Sequence, residues 1–391
     1  MNEPVLDLLI IGGGPAGSTL AREMAQRGWR VRLLDKAQFP RDKTCAGWVT
    51  PAVLDALSVT PEDYGSEGRV LQPIHAFSIG LMGQPACVND HGSEPVSYGI
   101  RRCEFDHHLL ARAPVDKVLG ESVRDIRREG TLWCVNGRHR ARWLVGAGGH
   151  FCPVARWLGA GPGRHECVVA AREAEFRMTP EQAAQCPVQG ECPELWFCRD
   201  LKGYAWVFRK GDYLNVGLGR EDNHWLSEHL QAFVTWMQSQ GRLPEAGELY
   251  QGHAYLLYGH AQRPLVGPGV CLIGDAAGLA YTQSGEGIRP AVESALMAAE
   301  ALQQAPDQAV LSDYEAALRA RFGRRGDVSQ WGVQGWSVPE WLKARLAGPL
   351  MRNPWFTRRV VTDRWFLHRD TPPLVLRPRA RDGGRSRPGP W

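Results

Sequence analysis

Cys45 follows Arg41 and Lys43 on a short loop, and two neighbouring cations raise the thiolate fraction of a thiol. That setting suits a redox or proton-handling residue; a small side chain that only packs is the plainer alternative. A second candidate stands far along the chain, where the apolar strand Val270 to Ile273 runs into Gly274-Asp275-Ala276-Ala277-Gly278. A carboxylate at a strand end, among small residues that admit a ligand, suits the holding of a polyol. Ser284-Gly285-Glu286-Gly287-Ile288 follows, and its glycines let a helix N-terminus approach a ring system closely. A third candidate is Tyr204, Trp206 and Phe208, which alternate with Ala205 and Val207 and so share one face of a strand. Lys210-Gly211-Asp212 then turns the chain, and Tyr213 to Leu218 returns as the other half of a hairpin. With Trp196, Phe197, Tyr255, Tyr258 and Tyr281, these rings form either a wall for an apolar substrate or ordinary core.

The elements that position such groups begin at the N-terminus. Val5 to Ile11 is an apolar run of strand length, followed at once by Gly12-Gly13-Gly14-Pro15-Ala16-Gly17. Gly12 permits the tight turn, Gly14 lets backbone approach a pyrophosphate, and Gly17, beside Ala16, lets the helix pack on the strand. A helix is expected from Pro15 to Arg27, stopped by Gly28, with its N-terminal amides facing the phosphates. A second strand, Trp29 to Leu34, ends in Asp35 and Lys36, where an acid accepts hydrogen bonds from an adenosine ribose. Strand, glycines, helix, strand and acid in this order specify a dinucleotide site, NAD or FAD. The polyol-binding pattern at Asp275 decides between them, because FAD has a ribityl chain and NAD has none.

The sequence resembles the geranylgeranyl reductase family of FAD-dependent oxidoreductases, which share the p-hydroxybenzoate-hydroxylase-like fold. The resemblance is carried by I-G-G-G-P-A-G at 11 to 17, F-P-R-D-K-T-C-A-G-W at 39 to 48, R-x-x-F-D at Arg102 to Asp106, G-Y-A-W-V-F-R-K-G-D-Y-L-N-V-G-L-G at 203 to 219, and L-I-G-D-A-A-G with S-G-E-G-I at 272 to 288. It implies that Asp275, with Gly274, bonds the ribityl hydroxyls, that Gly285, Gly287 and Ile288 border the isoalloxazine ring, and that Arg41 and Arg102 lie near the phosphates. It also sets Cys45, Ala46 and Gly47 against the flavin, with Cys45 as the catalytic candidate and Tyr204, Trp206, Phe208 and Tyr281 lining the substrate. Two departures stand out: the family's Cys-Gly-Gly reads Cys45-Ala46-Gly47, and its Gly-Ala-Asp-Gly reads Gly146-Ala147-Gly148-Gly149. Loss of the Asp at Gly148, a position counted with the cofactor site, argues against direct reduction by a nicotinamide and disfavours a hydroxylase.

The implied architecture is α/β, α+β overall: a Rossmann-like FAD-binding domain, an inserted antiparallel-sheet substrate domain and a C-terminal helical region. The expected FAD domain comprises 1–68, 99–165 and 259–305, the substrate domain 69–98 and 166–258, and the helical region 306–370. A basic tail without fixed fold takes up 371–391. The leading activity is hydride or electron transfer through flavin N5 to an apolar substrate, with a prenylated one in view. A flavin monooxygenase or halogenase, and an electron-transfer module serving a quinone, are the alternatives; the halogenase pattern W-x-W-x-I-P is absent from the sequence.

Composition limits the rest. The chain has 391 residues and a net charge of +4. Five Arg and one Asp between Thr371 and Trp391 account for that charge and leave the remainder neutral, which argues against nucleic-acid binding. The 10 Cys form no C-x-x-C pair, so reduced thiols and no metal site are expected. No apolar run reaches the ~20 residues that cross a bilayer, and a cytoplasmic location is expected. The 15 Trp exceed both Tyr and Phe, and Trp331, Trp336, Trp341, Trp355 and Trp365 crowd into one Arg-bearing stretch. A substrate lid, a peripheral membrane contact and a packed helical cap are the three readings of that stretch. His107 and His108 point about 100° apart on a helix expected over Glu104 to Ala113, so they do not share a metal. The oligomeric state cannot be read from the sequence.

Overall fold

A computed structural model describes residues 4–160, 168–222, 225–244, 250–261, 263–323 and 347–375. Its central sheet is built on the first strand, Leu6–Ile11, whose six residues are all buried, as expected of a strand covered on both faces. This strand pairs in parallel with Val31–Asp35 on one side and His139–Gly146 on the other. Asp116–Leu119 extends one edge and Val270–Leu272 the other, again in parallel. Both candidate ligand loops therefore leave the same, C-terminal end of parallel strands, separated only by His139–Gly146, where open α/β sheets bind ligands.

The helix Pro15–Gln26 starts at proline, whose missing N–H costs nothing there, and packs on the long helix Ile288–Gln304. Small residues make this contact close: a Cβ added to Gly274 would lie 3.0 Å from the Ala16 methyl. An ion pair between Arg27 and Glu300, at 2.5 Å, ties the far ends together.

The second large sheet has seven strands in the order Gln251–Leu256, Val168–Arg177, Tyr213–Arg220, Gly203–Lys210, Glu194–Phe197, Ala76–Leu81, Cys87–Asp90. All pairs are antiparallel except Glu194–Phe197 with Ala76–Leu81, so the expected antiparallel sheet is mixed at that point. A small sheet of Trp48–Val49, Ser97–Ile100 and Leu71–Ile74 brings the loop after the second strand to this second sheet, the one expected to face the substrate.

Several boundaries move. The second strand starts at Val31 and includes Asp35, and the helix expected from Glu104 spans Arg102–Ala111. Trp196 does not join the aromatic wall. As alternation requires, it turns to the opposite face and meets Trp236 at 4.8 Å, whereas Phe197 stays with the wall. Thr371 to Leu374, placed in the unstructured tail by composition, are held: Arg289 and Arg321 donate to the Thr371 and Pro372 carbonyls, and Leu374 packs on the core. Trp331, Trp336, Trp341 and the tail arginines lie outside the described residues.

Candidate active site

The glycine loop is as tight as its residues allow. Gly12 has φ +115°, and a Cβ there would collide with the Ala147 carbonyl; one at Gly17 would collide with the Gly12 carbonyl. Gly14 caps the helix without a side-chain hydrogen bond, so first-turn amides face the loop. Asp35 accepts from the N–H of Gly13 at 2.7 Å and of Ala37 at 2.8 Å, shaping the loop through contacts its position in the sequence did not reveal. Each carboxylate oxygen keeps a lone pair for a ribose hydroxyl. Lys36 beside it is exposed.

Cations gather beyond this loop. Arg41 reaches across Gly14, with its Nη2 placed 3.5 Å from where a Cβ would be, and pairs with Asp106 at 3.1 Å. Its buried Nη1 has no partner among the described residues. Arg102 grips the same Asp106 through both carboxylate oxygens at 2.8 Å and lies beside the Cys45 thiol. Lys43 bonds His253, and burial pushes its ammonium down to about 8 against the pull of Asp275. Burial alone would raise Asp275, but His253, Lys43 and Arg102 hold it at about 2, so it stays ionised in the interior.

The distal loop meets this cluster. A Cβ on Gly287 would stand 2.9 Å from Asp275 Oδ1, and one on Gly285, at φ +68°, would collide with the Tyr255 ring. Gly274 donates to Ser294 Oγ, and Ile288 is buried at the start of the long helix. Gly148 is exposed and lies beside the buried Cys152, whose Sγ would be 3.3 Å from an added Cβ, a tight contact on one side.

Under Cys45 lies a polar layer that the sequence did not announce. Glu173, Glu175, Lys210 and Asn215 project from the substrate sheet, and Lys210 is wholly buried, paired with Glu175 at 2.7 Å. Burial raises Glu173 to about 7 although it accepts bonds from the Cys45 N–H and Asn215. Glu175 is held below the usual range, since Lys210 and Arg101 outweigh its burial. A cleft of about 130 Å3 opens here, lined by Lys43, Cys45, Arg101, Arg102, Glu173 and Glu175. The signal available beforehand was two acids, Glu173 and Glu175, at alternate positions of the strand Val168–Arg177 and so on one face of it. Gly47, at φ +68°, is obligatory above this layer: a Cβ would strike both Lys210 and the Ile100 carbonyl, while Ala46 faces the aromatic cluster.

The aromatic face forms one stack. Tyr204 lies 5.9 Å from Trp206 and 5.3 Å from Phe366, and Phe208 lies 6.2 Å from Trp48. Tyr204 Oη donates to the Ser284 carbonyl, so this face abuts the Ser284-Gly285 turn. Tyr258 turns away from it to donate to the Gly323 carbonyl. Tyr281 stacks on His368 at 3.7 Å, and His368 Nε2 stands 3.5 Å from Glu286. Burial raises Glu286 to about 7 and lowers His368 to about 3.

Residues 5–61 match the family model described as FAD binding domain. The chain is an FAD-dependent oxidoreductase. The bare helix N-terminus, the unpartnered Arg41 nitrogen and the ionised Asp275 fit that cofactor. The oxidoreductase is similar to digeranylgeranylglycerophospholipid reductase of Thermoplasma volcanium, 26% identical over 82% of this chain and 84% of the relative. It is also similar to menaquinone reductase of Mycolicibacterium smegmatis, 25% identical over 88% of this chain and 87% of the relative. The crystal structure of a geranylgeranyl bacteriochlorophyll reductase-like protein from Thermoplasma acidophilum shares the fold, with a TM-score of 0.69 and 21% identity over 89% of this chain and 97% of that one.

Proposed function

We propose that this oxidoreductase adds hydrogen across carbon–carbon double bonds of a prenyl chain carried by a lipid or quinone. The observation that carries the reading is the aromatic face of Tyr204, Trp206 and Phe208, joined by the Tyr204 hydroxyl to the turn that carries Gly285. Both relatives are named for lipophilic substrates, a digeranylgeranyl lipid and menaquinone.

In this reading Gly12, Gly14, Ala16 and Gly17 receive the pyrophosphate, with Arg41 and Arg102 neutralising it and Asp35 and Lys36 at the ribose. Asp275 and Gly274 hold the ribityl hydroxyls. Ala46, Gly47, Gly285, Gly287 and Ile288 admit the ring, and Gly148 with Cys152 closes the dinucleotide side. Bound FAD supplies hydride transfer at N5. Cys45 is the candidate to hand a proton to the carbon opposite the one that takes the hydride, while Tyr204, Trp206, Phe208 and Tyr281 exclude water around the chain.

No helix among the described residues is long and apolar enough to cross a membrane. The proposal puts the protein in the cytoplasm with peripheral contact to the bilayer that holds its substrate. Trp355, 67% exposed near the exposed Arg359, is the described candidate for that contact.

The test is anaerobic reduction of the purified FAD-loaded protein with dithionite, NADH and NADPH in parallel, then mixing with a geranylgeranyl lipid or menaquinone in detergent. Product heavier by added hydrogen on the prenyl chain, formed without oxygen, is expected. An oxygenated or halogenated product that forms only in air would establish the monooxygenase or halogenase reading instead. Reduction confined to the quinone ring would establish the electron-transfer reading.

A further inference from the structure

Both peptide groups of Cys45 are held by side chains of the substrate sheet. Its N–H donates to Glu173 Oε1 at 2.6 Å, and its carbonyl accepts from Asn215 Nδ2 at 3.2 Å. Glu173 and Asn215 bind each other as well, Nδ2 donating to Oε2 at 3.1 Å. Both are buried, Asn215 to within 1% of full enclosure.

The other end of the Asn215 amide faces the aromatic wall. Its Oδ1 accepts from the Trp206 indole N–H at 2.7 Å. An indole nitrogen only donates and a carbonyl only accepts, so the amide has one chemically consistent orientation: oxygen to Trp206, nitrogen to Cys45. Gly217 makes the arrangement possible, because a Cβ there would collide with the indole lying across the sheet. Three acceptors, the Cys45 carbonyl, Glu173 and Glu175, surround the two hydrogens of Nδ2, so any tilt of the amide changes which of them is served.

We infer that Asn215 and Glu173 are positioning residues through which the aromatic wall, at Trp206, sets the place of the Cys45 thiol. A chain lying against the indole would thus bear on Cys45 through two hydrogen bonds, without touching it. The inference rests on the proposed function only in taking Cys45 and Trp206 as parts of one site.

The experiment measures the alkylation rate of Cys45 by iodoacetamide, read by peptide mass, in the full FAD-loaded chain. Half-buried Cys103 is the internal reference, and buried Cys152 and Cys271 stay unlabelled in any folded variant. Trp206→Phe keeps an aromatic ring but deletes the N–H along with part of the indole; it should accelerate Cys45 about fivefold, the effect of one lost hydrogen bond. Asn215→Ala should accelerate it more, and the double variant no more than Asn215→Ala alone, since the two lie on one path. Glu173→Gln, which keeps an oxygen for the Cys45 N–H, should act less than Glu173→Ala. A Trp206→Phe rate equal to that of the wild type, or additive effects in the double variant, would overturn the inference. Failure of the proposed function would show instead as FAD-loaded protein that leaves prenyl chains unreduced while the alkylation pattern holds.

Discussion

Asp275 is half-buried and Glu286 buried, at the two ends of one loop, and their surroundings shift their acidities in opposite directions. Asp275 meets groups that arrive from the nucleotide half and the sheet edge: Lys43, Arg102 and His253. Glu286 meets the C-terminal segment, where His368 is kept neutral by burial. Arg289 is close by, but it bonds Glu293 at 2.9 Å and the Thr371 and Pro372 carbonyls. Burial costs both carboxylates the same kind of solvation; His253, Lys43 and Arg102 overcome it at Asp275, whereas Arg289 offsets it only in part at Glu286. The loop therefore presents a charged end suited to phosphates and hydroxyls, and a neutral end suited to a ring and an apolar chain.

The largest expected effect tests whether the charged end depends on the glycine turn behind it. Gly17→Val should abolish FAD retention and cost at least about 4 kcal/mol of stability, measured by flavin absorbance and chemical denaturation, because the side chain has no room beside the Gly12 carbonyl. Next, Asp275→Asn should weaken FAD binding by about tenfold to a hundredfold in a fluorescence titration, while Glu286→Gln leaves it within about twofold. Equal losses from the two variants would erase the contrast between the ends.

The pH response separates them by sign. Glu286 has a folded pKa of about 7, above its unfolded value, so its contribution is full below the unfolded pKa and is lost as pH rises through about 7. Asp275 behaves oppositely: its contribution is present above the unfolded pKa and is lost as pH falls through about 2. Melting curves should show Glu286→Gln gaining about 2 kcal/mol on the wild type between pH 5 and 8, with a residual slope from Glu173. A parallel pair of curves would show that Glu286 is not held neutral. The smallest effects concern the segment that seals the neutral end. Ending the chain at Asp370 should cost about 1–2 kcal/mol, because Arg289 and Arg321 lose their carbonyl acceptors. Ending it at Val375 should stay within about 0.5 kcal/mol while removing the Arg-rich charge.

The charged end was largely readable because its parts are local. Gly12 to Gly17, the helix and Asp35 fall within one strand-helix-strand unit, and Asp275 carries its own glycines. Its partner His253 was not readable, since it arrives on an edge strand paired with Val168–Arg177. The layer under Cys45 was hidden for the same reason. Glu175 and Asn215 are opposite one another only because two strands pair in that register, and a buried Lys210 looks like any turn lysine in sequence. The aromatic alternation gave the strand and its ring-bearing face, but not Trp196, which alternation sends to the other side. The docking of His368 on Tyr281 had no signal in the helical region expected over 306–370.

The central sheet also has a bearing on how the chain is made. Its first strand lies between Val31–Asp35 and His139–Gly146, and the latter is flanked in turn by Val270–Leu272. The helix after the glycines rests on Ile288–Gln304. In translation Leu6–Ile11, a wholly buried strand, emerges well before His139–Gly146, which covers one of its edges. The helix after the glycines finds Arg102–Ala111 to lie on well before Ile288–Gln304 is made, so the larger of these two helix contacts forms last. For such an order of assembly, guarding that strand from other chains is as much a condition of obtaining the enzyme as any contact in its finished site.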